Sequence, residues 1–128
     1  MVTDITNGVK VSVETFYQAG YSNSLNREHM FAYRITIENK GTQAVKLISR
    51  HWFIYDAIHE HREVEGEGVV GEQPEILPGG MHQYVSGCNL KSPMGKMHGT
   101  YLMEGQSDNS LFEVRIPVFH LAADFLLN

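Results

Sequence analysis

The chain has 128 residues, 42% hydrophobic and 20% charged, with a net charge of −5; that length and apolar fraction fit one core and exclude a disordered chain. Cys88 is the only cysteine, which excludes an internal disulfide and a cysteine cage for zinc, and leaves a lone thiol expected to be buried and inert. No apolar run approaches the ~20 residues of a membrane span, and MVTDITNGVK lacks the basic and apolar regions of a signal peptide, so the expectation is a cytoplasmic protein without membrane insertion.

Val9, Val11 and Val13 alternate with Lys10, Ser12 and Glu14, the period of two that places three β-branched residues on one buried strand face. Gly20 to Glu28 reads as a loop. From Met30 to Asn39, Phe31, Tyr33, Ile35 and Ile37 alternate with polar or small residues in the clearest strand of the chain. Asn39, Lys40 and Gly41 then signal a turn, and a hairpin into a strand beginning near Val45 is expected. Along that strand Val45 and Leu47 share one parity while Ile48, Trp52 and Ile54 share the other, so a bulge or bend is expected near Ser49 to His51.

A short polar strand around His61 to Val64 leads into the glycine-rich loop Gly66 to Gly71, and Pro74, Pro78, Gly79 and Gly80 prevent any long element after it. Three more strands are expected near Met81 to Cys88, Met97 to Glu104 and Leu111 to Val118, the last with Phe112, Val114, Ile116 and Val118 facing the core. About seven short strands with turns between them and no helical periodicity point to an all-β, immunoglobulin or fibronectin-III-like antiparallel sandwich, one domain over residues 1–128.

Charge is uneven. Asp56, Glu60, Glu63, Glu65, Glu67, Glu72 and Glu75 face only Arg62 in their segment, which therefore carries −6 and leaves +1 for the rest. Nucleic-acid affinity comes mostly from clustered Lys and Arg neutralising phosphates, so no nucleic-acid partner is expected.

Several strings resemble the ApaG family (the DUF525 domain) along nearly the whole chain. They are Ile35-Thr36-Ile37-Glu38-Asn39, Leu47-Ile48-Ser49-Arg50-His51-Trp52, Gly66-Glu67-Gly68-Val69-Val70-Gly71-Glu72-Gln73-Pro74, Leu77-Pro78-Gly79, Tyr84-Val85-Ser86-Gly87, Met97-His98-Gly99-Thr100-Tyr101-Leu102-Met103 and Ile116-Pro117-Val118-Phe119-His120-Leu121. The resemblance implies a fibronectin-III-like sandwich in a widespread bacterial family whose name is attached to cobalt and magnesium efflux. Its reuse inside eukaryotic F-box and polymerase-delta-interacting proteins implies a protein-interaction module. The chain departs from the family pattern at Ala57-Ile58-His59-Glu60, where a glycine commonly follows the aspartate, and in the tail Ala122 to Asn128, which lacks a proline.

Gly66, Gly68 and Gly71 spell GxGxxG, the spacing of dinucleotide-binding folds, but no helical periodicity follows to supply the N-terminal amides that hold a pyrophosphate. Glycines serving turns are the preferred reading, and Glu65, Glu67 and Glu72 would repel a phosphate unless a cation intervened. An extended chain places His59, His61, Glu63 and Glu65 on one face, a candidate divalent-metal set that also fits a charged edge blocking aggregation. Trp52 reads as core, with Arg50 and His51 as surface contacts.

No nucleophile elbow, HExxH helix or P-loop is present, and neither an enzyme nor a cofactor is expected. The preferred expectation is a binding module for an unidentified protein partner, acting through the loop that holds Gly66, Gly68, Gly71, Glu72, Gln73 and Pro74 together with Arg50 and His51. The alternative is a small-ligand sensor taking a divalent cation or a phosphate-containing metabolite on the same segment. Leu121, Phe125, Leu126 and Leu127 either close one end of the sandwich or meet a second copy, which leaves a homodimer open.

Overall fold

The computed structural model describes residues 1–57 and 61–126. Alternation builds its nine strands: β1 (Val2–Thr6), β2 (Val9–Tyr17), β3 (His29–Asn39), β4 (Val45–Asp56), β5 (His61–Glu67), β6 (Glu75–Ile76), β7 (Met81–Leu90), β8 (Met94–Gly105) and β9 (Leu111–Ala122). They form two antiparallel sheets, one in the order β1-β2-β3-β7 and one in the order β5-β4-β8-β9, with β6 also on β4. The described residues contain no α-helix, and none long and apolar enough to cross a membrane.

The inner faces meet in one core. Val9, Val11 and Val13 of β2 and Phe31, Tyr33, Ile35 and Ile37 of β3 pack against Leu47, Trp52 and Ile54 of β4 and against inward residues of β8 and β9. Trp52 is 3% exposed, with its ring edge-on to Tyr33 at 5.5 Å and to Phe119 at 5.8 Å. That is the packing expected of it, since aromatic pairs favour edge-to-face contact. Cys88 is likewise buried, and burial pushes its thiol up to about 11.

Two bulges set which residues face inward. In β4 the register against β8 shifts between Leu47 and Ser49, slightly earlier than the sequence suggests, so Leu47 and then Arg50, Trp52 and Ile54 share the inner face. The β8–β9 register shifts between Met97 and Gly99, opposite Pro117, whose missing N–H suits a bulge on an edge strand. The expectation that Val118 faces the core is therefore wrong. Val118 is exposed and Phe119 buried, because the bulge reverses the alternation after Ile116.

The expected hairpin at Asn39–Gly41 is also corrected: β3 and β4 belong to different sheets. The chain crosses between layers there, and the buried Asn39 side chain does the work of a ladder, donating to the carbonyls of Gln43 and Ile76 and accepting from the Gly41 N–H. β1 has no counterpart in the strand reading. It is held on β2 by the Asn7–Gly8 turn, both residues at positive φ.

One long side of the sandwich is closed, with Arg115 of β9 paired to Asp4 of β1. The other is more open, bounded by the edge strands β5 and β7, where Arg62 donates to the Asn89 carbonyl. At one end Phe125 packs its ring near Tyr17 and His29; Leu127 lies outside the described residues.

Candidate functional site

The open side carries two groups of polar side chains, separated by the pleat of β4 and β5. Ser49, His51 and Phe53 pair with Glu67, Glu65 and Glu63 on the outer face, whereas Arg50 pairs with Gly66 on the inner one. The sheet thus puts the acidic row on one face and the arginine on the other.

On the outer face His51 Nε2 lies 3.0 Å from Glu63 Oε2 and 3.3 Å from Glu65 Oε1, and the three ligand-capable atoms all fall within 4.8 Å of one another. Of the four residues expected to form a metal set, the structure brings together only Glu63 and Glu65. His61 packs its ring at a tilt against Tyr55 at 5.3 Å instead, and His59 lies outside the described residues. His51 supplies the imidazole from the neighbouring strand, a partnership that only register reveals. Beside it the rings of His51, Phe53, His98, Tyr55 and His61 follow one another at centroid distances of 4.4 to 5.7 Å across the outer face.

On the inner side Gly66, Gly68 and Gly71 lie in a strand end and a tight turn, with no helix after them. Val70 and Gly71 take φ of +48° and +77° at the turn centre, closed by reciprocal backbone hydrogen bonds between Val69 and Glu72. The Gly68 N–H donates to the Ile48 carbonyl, so three loop amides that a phosphate nest would need already have protein acceptors. The loop is also tied to the β4 bulge by Gln73, which donates to the Ile48 carbonyl, and by Pro74, whose carbonyl accepts from the Leu47 N–H. Glu72 points its carboxylate toward His82, 4.0 Å away.

Arg50 completes the tie, its Nη1 donating to the carbonyls of Glu67 at 2.9 Å and Gly68 at 3.1 Å. The guanidinium lines a cleft of about 210 Å³ between the sheets, together with Tyr33, Trp52, Val70, Tyr84 and Ser86. Tyr84 and Tyr101 share a 2.5 Å hydrogen bond between their hydroxyls. Burial raises the pKa of Tyr33, Tyr84 and Tyr101 above the usual phenol range, with the nearby Arg50 charge opposing the rise. Tyr33 comes from β3 and Tyr84 and Ser86 from β7; Tyr84 and Ser86 lie in one of the strings that carry the family resemblance, but only the packing of the two sheets brings all three beside Arg50. Asp56, counted above with the acidic segment, is 8% exposed and accepts from the backbone N–H groups of Lys91 and Ser92, which gives it a structural place.

The ApaG domain model matches residues 19–105 of the chain. Protein ApaG of Brucella anthropi is 48% identical over 121 residues, covering 94% of this chain and 92% of that protein. Protein ApaG of Shewanella sediminis is 44% identical over 130 residues, covering 99% and 100%. A crystal structure of a Bordetella pertussis protein described as ApaA superposes with a TM-score of 0.87 at 40% identity, over 95% of each chain. Family model, relatives and fold agree, and the chain belongs to the ApaG family.

Proposed function

We propose that this chain is a non-enzymatic binding module that recognises another protein through the loop from Gly66 to Pro74. The observation that supports this best is Val70. A β-branched residue at φ +48° sits where such residues are seldom found, at a cost of about 1–3 kcal/mol, and with 64% of its surface exposed it recovers little by packing. Strain kept at an exposed tip is typical of sites that present a side chain to something else. The ties from Arg50, Gln73 and Pro74 hold the tip in one shape before contact, which lowers the ordering cost of association.

Affinity capture from the native organism tests the reading, with tagged wild type beside Val70→Asp. Capture of a partner by the first and its loss by the second, with unchanged folding, is expected. Retention of every captured protein by Val70→Asp would end the assignment of this loop.

The second reading is a sensor for a small ligand, and the His51–Glu63–Glu65 group favours its divalent-cation form. Two carboxylates and one imidazole suit a first-row divalent ion at modest affinity, because only three protein donors are present and all are partly solvated. Calorimetry of tag-free protein with cobalt should give heat that His51→Ala removes. Silence in wild type would dispose of it, and the phosphate form of the same reading has the weaker support, since the loop amides are already engaged.

A further inference from the structure

Arg34, part-buried, and Arg115, exposed, each turn Nε and Nη2 toward a carboxylate, Glu14 and Asp4 respectively. Arg50 is different. Nη1 holds two loop carbonyls, while Nε and Nη2 donate to no described residue, and among the described residues it forms no ion pair. The edge that grips a carboxylate in Arg34 and in Arg115 thus has no described acceptor in Arg50, a residue that lines the cleft.

The surroundings fit that ligand. Gly66 has no side chain, and a Cβ there would stand 2.8 Å from Nη1, so the glycine is what admits the guanidinium. Glu63, Glu65 and Glu67 are on the opposite face of the sheet, where His51 engages the first two, and Glu72, in the turn that bounds the cleft, has His82 4.0 Å from its carboxylate. Trp52, Val70 and Tyr84 offer apolar and aromatic walls for the stem of an acid, and the tyrosine and Ser86 hydroxyls offer further polar contacts. A phosphate is a poorer match, since the loop amides that would form a nest for it already donate to protein carbonyls.

We propose that the cleft between β4, β7 and the Val69–Glu72 turn is a carboxylate-binding site, in which the Nε–Nη2 edge of Arg50 takes both oxygens of an acidic group. A fork of two parallel N–H donors matches a carboxylate and adds direction as well as attraction. It rests on the interaction reading only for the source of the acid, a side chain or C-terminus of the partner; a free small acid would use the same chemistry.

The test is a titration of the ¹⁵N-labelled full chain, followed at the Arg50 Nε–H and at the amides of Val69, Val70 and Ser86. The probes are benzoate, an acetylated tripeptide with a free C-terminus, its C-terminal amide, and inorganic phosphate. Saturable shifts confined to the cleft with benzoate or the free-acid peptide, and none with the amide, are expected. Tighter binding of the peptide than of benzoate assigns the site to a partner chain, and the reverse to a small acid. Arg50→Gln should weaken binding at least about tenfold, roughly 1.4 kcal/mol. Because that variant also cuts the loop ties, Ser86→Leu is run beside it, keeping Arg50 and narrowing the cleft. Non-saturating shifts, binding unchanged in both variants, or phosphate binding where both carboxylates fail would overturn the site. Failure here with Val70-dependent capture intact leaves the interaction reading standing; carboxylate binding with no captured protein removes that reading and keeps the site.

Discussion

Arg50 and Gly66 face each other across the β4–β5 ladder, and the guanidinium lies where a Gly66 side chain would be. A Cβ at Gly66 meets only the far end of a flexible arginine, whereas one at Gly99 meets the backbone carbonyl of His51 on the neighbouring strand. Gly66→Ala should displace Arg50 and cost about 1 kcal/mol, the value of lost hydrogen bonds. Gly99→Ala should cost roughly 3 kcal/mol, because backbone has to move. Urea unfolding of the two variants checks the order, and equal losses would contradict it.

Trp52 sets a third magnitude. Its burial and its edge contacts with Tyr33 and Phe119 make Trp52→Ala a cavity at the centre of the core. The expected loss is about 3–5 kcal/mol, lowering Tm by roughly 10–20 °C. A melting temperature close to that of wild type, read by circular dichroism, would show that the ring is not a packing element.

Asp56 organises the β7–β8 turn by accepting from two consecutive backbone N–H groups, at 2.7 Å from Lys91 and 3.1 Å from Ser92. Asp56→Ala leaves those donors without their acceptor and should cost about 1–3 kcal/mol. Hydrogen exchange at the amides of Lys91 and Ser92 should accelerate in the variant while the β2 and β3 amides keep their protection.

Alkaline stability should follow Cys88 first. Burial raises its thiol from an ordinary value of 9.0 to about 11, so above pH 9 the unfolded chain loses a proton that the folded chain keeps. The thiol's contribution is fully present below pH 9 and is lost as pH rises toward 11. Tyr84 and Tyr101, raised above an ordinary 10.0, extend the decline at higher pH. Urea midpoints should fall as pH rises above 9, and Cys88→Ala should delay the start of the fall by about one pH unit. Rapid labelling of the native thiol at pH 7.5 would contradict the burial on which this depends.

Much of the architecture is legible in the residues. Alternation in Phe31–Ile37 and in Val9–Val13 names the core faces of β2 and β3, because a pleated strand has a fixed period and needs no partner to express it. The turn at Asn39–Gly41 is legible as a turn and illegible as a crossing, since turn chemistry describes four residues and not the sheet that receives the chain. The site divides the same way: Gly68 and Gly71 mark a turn as expected, but Gly66, expected in the loop, is a residue of β5 paired with Arg50, and His51 joins Glu63 and Glu65 only through the register of β4 on β5.

Sequence alone determined that the chain is all-β, that Trp52 is core, and that the loop after β5 is built from positive-φ glycines, all consequences of local sterics and period-two burial. Tertiary structure decided which side chain points where on the open side. A bulge of one residue between Leu47 and Ser49 is set by pairing with β8, more than fifty residues away in the chain, and it turns Arg50 inward to the cleft and His51 outward to the glutamates. A one-residue change in register exchanges the two faces of a strand, so long-range pairing and not local preference chose the charge that each face presents.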